Sequence, residues 1–365
     1  MVARRWAAFV AALVMISVVA APASASAATA TGPYVALGDS YASGYGLPEA
    51  TGEPVSGCGQ SRLDYPHLLA RELALPLTDV TCAGATTSDV VSRRQLGAQP
   101  QVAALSDSTR LVTITIGGND ADLIGTVARC IAVSANGPVF STGEDSCKAT
   151  LERDGVNTLN RSIDDTVVPK VRAAFRDIAR AAPNARVFVV GYPALFPNAA
   201  SVPAGGCFRS VADGSGFVGD GFPFTTTDVA FLGGMQSHLD GALRSATQRA
   251  GFTYVSTLAG SYAHSACATS DSYLEGITLS ADSTFSSITL ADGALHPNER
   301  GTRYLAAQTA DAIRAAAATP PASPATADAG GFPLVWLVLA GIVVVFAAIA
   351  LLVARSIRRS RRDRS

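Results

Sequence analysis

Apolar residues along this chain fall into two patterns, short unbroken runs and longer stretches spaced for one face of a helix, and the two alternate. Tyr34-Val35-Ala36-Leu37 is a run that stops at Gly38. Residues 65–75 then place Leu68, Leu69 and Leu73 on one helical face with Arg71 and Glu72 outward, and 77–82 reads as a second strand. Residues 110–116 are β-branched and almost continuous, as in a strand buried on both faces. Helical spacing over 154–182, a strand at 186–190, a helix at 224–250, a strand at 252–256 and a helix at 298–316 complete the series. Strands separated by helices predict an α/β domain on a parallel sheet with helices covering both sides. No internal repeat is visible.

Two apolar stretches do not fit this alternation. Residues 6–21 follow Arg4 and Arg5 and lead into Ala23-Ser24-Ala25-Ser26-Ala27, small residues in the A-x-A pattern of a signal-peptidase site. Residues 1–27 therefore read as a secretory signal cut near Ala25 or Ala27. Residues 332–354 carry no charge, and at a rise of ~1.5 Å per residue they would span about 34 Å, enough for a bilayer core. A basic tail over 355–365, with arginines at 355, 358, 359, 361, 362 and 364, follows at once and should stay on the cytoplasmic side. Residues 317–331 are rich in Pro and Ala and read as an extended stalk. The expected organisation is thus one globular domain over 30–316, held outside the cell by a single C-terminal transmembrane helix.

Composition narrows the partner. Hydrophobic residues make up 48% and charged residues 16%, so a sizeable core can be buried and a largely disordered chain is excluded. Between the terminal arginine clusters, acids outnumber bases by eight, which argues against nucleic acid as a partner. The six cysteines, Cys58, Cys82, Cys130, Cys147, Cys207 and Cys267, include no C-x-x-C pair. An even number in an exported chain reads as three disulfides. Six cysteines allow 15 connectivities, of which sequential pairing is the simplest.

The chemistry gathers where the strands end. In a parallel sheet the active site lies beyond the carboxyl ends of the strands. Gly38-Asp39-Ser40-Tyr41 follows the first strand, Cys82-Ala83-Gly84-Ala85 the second and Gly117-Gly118-Asn119-Asp120 the third, while His296-Pro297 stands just before the last helix. The proline fixes that helix start and so fixes the histidine ahead of it. His67 reads as structural at a helix start, and His238 and His264 adjoin no motif. Asp39 reads as a tie within its turn, and Asp120 and Asp122 as caps of the next helix. Gly214 to Gly219 spells a dinucleotide fingerprint but follows no strand and opens no helix. With no metal-ligand cluster, no G-x-S-x-G elbow and no H-E-x-x-H helix in the sequence, neither metal nor cofactor is expected. The segment 201–224, with Phe208, Phe217, Phe222 and Phe224, is a candidate for a substrate wall or for core cover.

Together and in this order, the four segments resemble the SGNH hydrolases, also called the GDSL esterase/lipase family, over most of 33–316. The signature residues are Ser40, Gly84, Asn119 and His296. The cysteine spacing resembles secreted actinobacterial esterases and phospholipases of that family. The resemblance implies Cys58–Cys82, Cys130–Cys147 and Cys207–Cys267, and a three-layer, flavodoxin-like α/β/α sandwich on a five-stranded parallel sheet. It also implies Ser40 as nucleophile, His296 as general base, and an oxyanion hole from the Ser40 and Gly84 amides and the Asn119 side chain. The family often places an aspartate three residues before its histidine. Here that position is Gly293, and Asp292 is one residue further away. Asp292 is therefore a candidate third member, and a backbone carbonyl orienting His296 is the alternative favoured by this departure. The function so implied is hydrolysis of acyl esters by a membrane-anchored extracellular esterase or lipase. The alternatives are an O-deacetylase of envelope polysaccharide and a catalytically silent surface protein of the same fold.

Overall fold

The computed structural model describes residues 32–281 and 288–318. Five strands form one sheet: β1 (Tyr34–Gly38), β2 (Leu77–Asp79), β3 (Leu111–Thr115), β4 (Arg186–Val190) and β5 (Thr253–Val255). They lie in the order β2-β1-β3-β4-β5. Every pairing is parallel, with Tyr34 opposite both Leu77 and Leu111, Leu111 opposite Arg186, and Phe188 opposite Thr253.

The unbroken apolar runs are explained by the two faces of this sheet. Successive strand side chains point to opposite sides. Val35, Leu37, Val112, Ile114, Val187 and Val189 enter one core. There they meet α5 (Val168–Ala181) through Val171, Phe175 and Ile178, and α6 (Thr226–Arg249) through Leu239 and Leu243. Tyr34, Ala36, Leu111, Phe188 and Val190 enter the other, against Leu69 of α2 (Tyr65–Leu73) and Leu305 and Ile313 of α7 (Glu299–Ala318). The result is three layers, helices over sheet over helices. Each fully buried Val, Leu, Ile or Phe contributes about 1.5–3 kcal/mol of transfer free energy.

Where expectation and structure differ, local chemistry decides. The helix expected over 154–182 begins only at Thr158, because Glu152–Arg153 and Val156–Asn157 form a hairpin around Asp154 and Gly155. Asn157 then caps the helix, its side chain accepting from the Leu159 and Asn160 amides. The second strand is three residues long rather than six. Phe222 and Phe224 are fully buried against Phe196, so this part of 201–224 covers the core. The cysteines pair as Cys58–Cys82, Cys130–Cys147 and Cys207–Cys267. Such a bridge typically contributes about 2–4 kcal/mol by restricting the unfolded chain. Among the described residues no helix is long and apolar enough to cross a membrane. The expected signal (1–27), nearly all of the stalk (317–331), the expected span (332–354) and the basic tail (355–365) lie outside the described residues.

Candidate active site

Ser40 is the first residue of the short helix α1 (Ser40–Ser43), directly beyond β1. The turn demands glycine at 38. Its φ is 142°, and a Cβ there would stand 2.6 Å from the Thr115 carbonyl oxygen and 2.8 Å from Ala42 Cβ. Asp39 caps the helix by accepting from the Tyr41 amide at 3.0 Å. Gln101 pins the turn from below, accepting from the Gly38 amide at 2.8 Å and donating to its carbonyl at 2.9 Å. Ser40 is thereby held in one place at the rim of the sheet.

His296 comes to it from 256 residues away, with Nε2 at 2.8 Å from Ser40 Oγ. The other ring nitrogen, Nδ1, lies 2.8 Å from the carbonyl oxygen of Ala294. A carbonyl oxygen can only accept, so Nδ1 carries the proton and Nε2 is left as the acceptor for the serine hydroxyl. Burial lowers the His296 pKa from its ordinary value, opposed only in part by the Ala294 contact. The imidazole is thus kept in the neutral form that can take a proton.

The loop carrying His296 is shaped by its backbone. Leu295 has φ 63°, a conformation that costs a bulky side chain about 1–3 kcal/mol. It is held there by burial of its side chain and by the Tyr41 hydroxyl, which donates to its carbonyl at 2.7 Å. Gly293 has φ 83° and faces Gly46 closely: a Cβ at 293 would meet Gly46 Cα at 3.2 Å, and one at 46 would meet Gly293 Cα at 2.2 Å. This crossing of two backbones, together with the positive φ, disfavours any side chain at 293. Asp292 does not reach His296 either; it accepts a hydrogen bond from the Tyr45 hydroxyl. The Tyr45 ring in turn packs edge-on against the imidazole, with centroids 5.3 Å apart.

Gly84 lies in the turn after Cys82, and its neighbours are tied on both sides. Gln95 donates to the Ala83 carbonyl at 2.7 Å, and the Asn119 amide donates to the Ala85 carbonyl at 3.0 Å. Neither the Ser40 nor the Gly84 backbone N–H has an acceptor among the described residues. Asp120 does not cap the next helix as expected. It accepts from the Thr87 amide and hydroxyl, joining the loop after β3 to the start of α3 (Thr87–Val91). Asp122 occupies the cap position of α4 (Leu123–Ala128) without a capping bond and instead pairs with Arg129 at 2.9 Å.

Sequence reasoning missed the residue that links these loops. Tyr192 donates to Asp39 Oδ2 at 2.5 Å and accepts from the Gly118 amide at 2.9 Å, tying the serine turn to the asparagine loop. Burial pushes the Asp39 carboxyl up to about 7, against the lowering effect of the Tyr192 and Tyr41 contacts. Tyr192 stands beyond the carboxyl end of β4, so the strand-end rule that found the other segments could have found it.

Away from this site, the expectation that no metal-ligand cluster exists needs correction. The start of α2 and the end of β2 bring Asp64, His67 and Asp79 together, one ligand atom from each lying within 4.8 Å of the others. Burial alone would lower the His67 pKa, but hydrogen bonds from its ring to Asp64 and Asp79 push it up to about 9. It reads as a cation hydrogen-bonded to Asp64, with Nδ1 at 2.8 Å and 3.4 Å from the two carboxyls, while burial and the neighbouring Asp79 push the Asp64 carboxyl up. His238 meets Asp164 at 2.9 Å, and His264 stacks on Tyr273.

Comparison with known proteins places this geometry in context. The GDSL-like Lipase/Acylhydrolase family profile matches residues 36–304. Lipase 2 of Streptomyces coelicolor is 35% identical over 297 residues, covering 80% of this chain and 89% of that protein. An esterase of Streptomyces scabiei is 27% identical over 337 residues, covering 86% and 95%. Among solved structures, phospholipase A1 from Streptomyces albidoflavus superposes with a TM-score of 0.55 at 25% identity, covering 78% of this chain and 99% of that one.

Proposed function

The chain belongs to the GDSL-like lipase/acylhydrolase family of ester hydrolases, and from that premise we propose that it is an extracellular serine esterase working through a Ser40–His296 dyad. The observation that carries the proposal is the line from Ser40 Oγ through the imidazole to the Ala294 carbonyl. Ser40 Oγ attacks the acyl carbon while its proton passes to His296 Nε2. The carbonyl electron pair moves onto oxygen, where the Ser40 and Gly84 amides and the Asn119 side chain are the donors. Collapse of the intermediate expels the alcohol oxygen, which takes the proton from Nε2 and leaves Ser40 acylated. Water then attacks by the same route, the serine regains its proton, and the carboxylic acid departs.

A fluorophosphonate probe tests this directly. It should label one residue, Ser40, in the folded protein, and labelling that survives Ser40→Ala would sink the assignment.

The partner of His296 can be tested separately. With the Ala294 carbonyl orienting the ring, Asp292→Ala should lower kcat by less than about tenfold, against the ~10⁴ lost when a triad carboxylate is removed. A thousandfold loss in a variant with unchanged circular dichroism would instead make Asp292 the partner.

Anchoring is proposed on the uncharged stretch 332–354 and the arginines that follow it. Protease added to intact cells should cut within 317–331 and release soluble activity. Activity that stays with the cells after confirmed cleavage would rule this anchor out.

A further inference from the structure

We infer that Asp64, His67 and Asp79 form a structural site for one divalent ion of the zinc type, with no part in the ester chemistry. One ligand atom from each side chain lies within 4.8 Å of the other two. Proximity alone fits an imidazolium beside two carboxyls, and that is the metal-free form. Two observations point to a larger charge.

The first is a pair of oxygens left over. The Asp79 side chain is only 4% exposed. Its Oδ1 accepts from the Thr81 amide at 2.9 Å and from the Thr81 hydroxyl at 2.7 Å. Its Oδ2 lies 3.4 Å from His67 Nδ1 and so is aimed into the cluster, yet no described residue makes a hydrogen bond to it. Asp64, fully buried, repeats the arrangement. Its Oδ1 accepts from the His67 amide at 2.7 Å and meets Nδ1 at 2.8 Å, while Oδ2 has no partner among the described residues. A buried carboxyl oxygen without a partner is costly, and a cation between the two carboxyls removes that cost. The contacts that are made hold both groups in place, as the outer hydrogen bonds of a metal site do.

The second is the balance of charge. An imidazolium with two carboxylates leaves one negative charge buried. A divalent ion with a neutral imidazole and the same two carboxylates leaves none. The metal-free cluster holds protons instead, and binding must displace them.

The donor set selects the ion. One imidazole nitrogen with two carboxylate oxygens suits zinc and its transition-metal neighbours, whereas calcium and magnesium favour oxygen alone. Zinc takes four ligands, and the fourth position falls to water, because His67 and Asp79 line a surface hollow. Arg62 and Arg71 line it too, but both are exposed and their charge is screened. An ion held here joins the start of α2 to the end of β2, beside the Cys58–Cys82 bridge.

The test is calorimetric titration of the full-length protein, first stripped with chelator, with zinc chloride. One ion should bind with a Kd below about 1 µM, and the melting temperature should rise. Calcium should bind at least ~100-fold more weakly. Asp79→Asn, which keeps the shape of the side chain, and His67→Gln should each weaken zinc about 100-fold with unchanged circular dichroism. The wild-type protein gives a check that needs no variant to fold: zinc should protect His67 from diethyl pyrocarbonate, read by peptide mapping. No binding at about 100 µM zinc would overturn the site. So would zinc affinity unchanged in both variants, calcium bound more tightly than zinc, or His67 modified equally with and without zinc.

Discussion

His296→Ala should lower kcat by about 10⁵- to 10⁶-fold, and the double variant with Ser40→Ala should lose no more than either single change. Ser40 Oγ and His296 Nε2 share one hydrogen bond at 2.8 Å, so each is useless without the other. A serine without an acceptor stays protonated, and an imidazole without the serine has no nucleophile to activate. Steady-state kinetics on a short p-nitrophenyl ester, with folding checked by circular dichroism, measures the loss. Retention of more than about one part in a thousand of wild-type turnover would mean that another base or nucleophile operates.

Asn119→Ala should cost about 10²- to 10³-fold in kcat with little change in KM, because the oxyanion exists in the transition state and not in the bound ester. The side-chain amide has two hydrogens. One is spent on the Ala85 carbonyl at 3.0 Å, which aims the group, and in the proposed mechanism the other donates to the oxyanion. Truncation also removes the Ala85 tie, so melting temperature must be followed beside activity. A large drop in melting temperature with turnover nearly intact would make Asn119 a structural strut and would refute its role as an oxyanion donor.

How much of this was legible in the sequence depends on whether a feature is written in side chains. The strands were readable because a sheet covered on both faces needs apolar residues at every position, as in Leu111 to Thr115, where even the two threonines are buried. The helix start at Thr158 was not, because the Asp154-Gly155 turn outweighed a helical pattern that continued through it. Ser40, Gly84, Asn119 and His296 stood out because each follows a strand or precedes the last helix. Tyr45 and Asp292, 247 residues apart, meet only because Gly46 and Gly293 let their loops cross, and no spacing rule anticipates that contact. The Asp64–His67–Asp79 triad was hidden for the same reason, since it needs β2 to lie beside the start of α2.

The hydrogen-bond acceptor behind His296 belongs to the main chain, and every amino acid at 294 except one that distorts the loop would present the same oxygen. Orientation of the base is therefore encoded in the path of the loop, through φ at Gly293 and Leu295, rather than in the identity of an acid. Such a site tolerates drift at the neighbouring aspartate and is vulnerable to insertion or deletion between 291 and 296. For anyone re-engineering the enzyme, the length of that segment and Gly293 are the quantities to conserve, and the side chain at 294 is the one free to change.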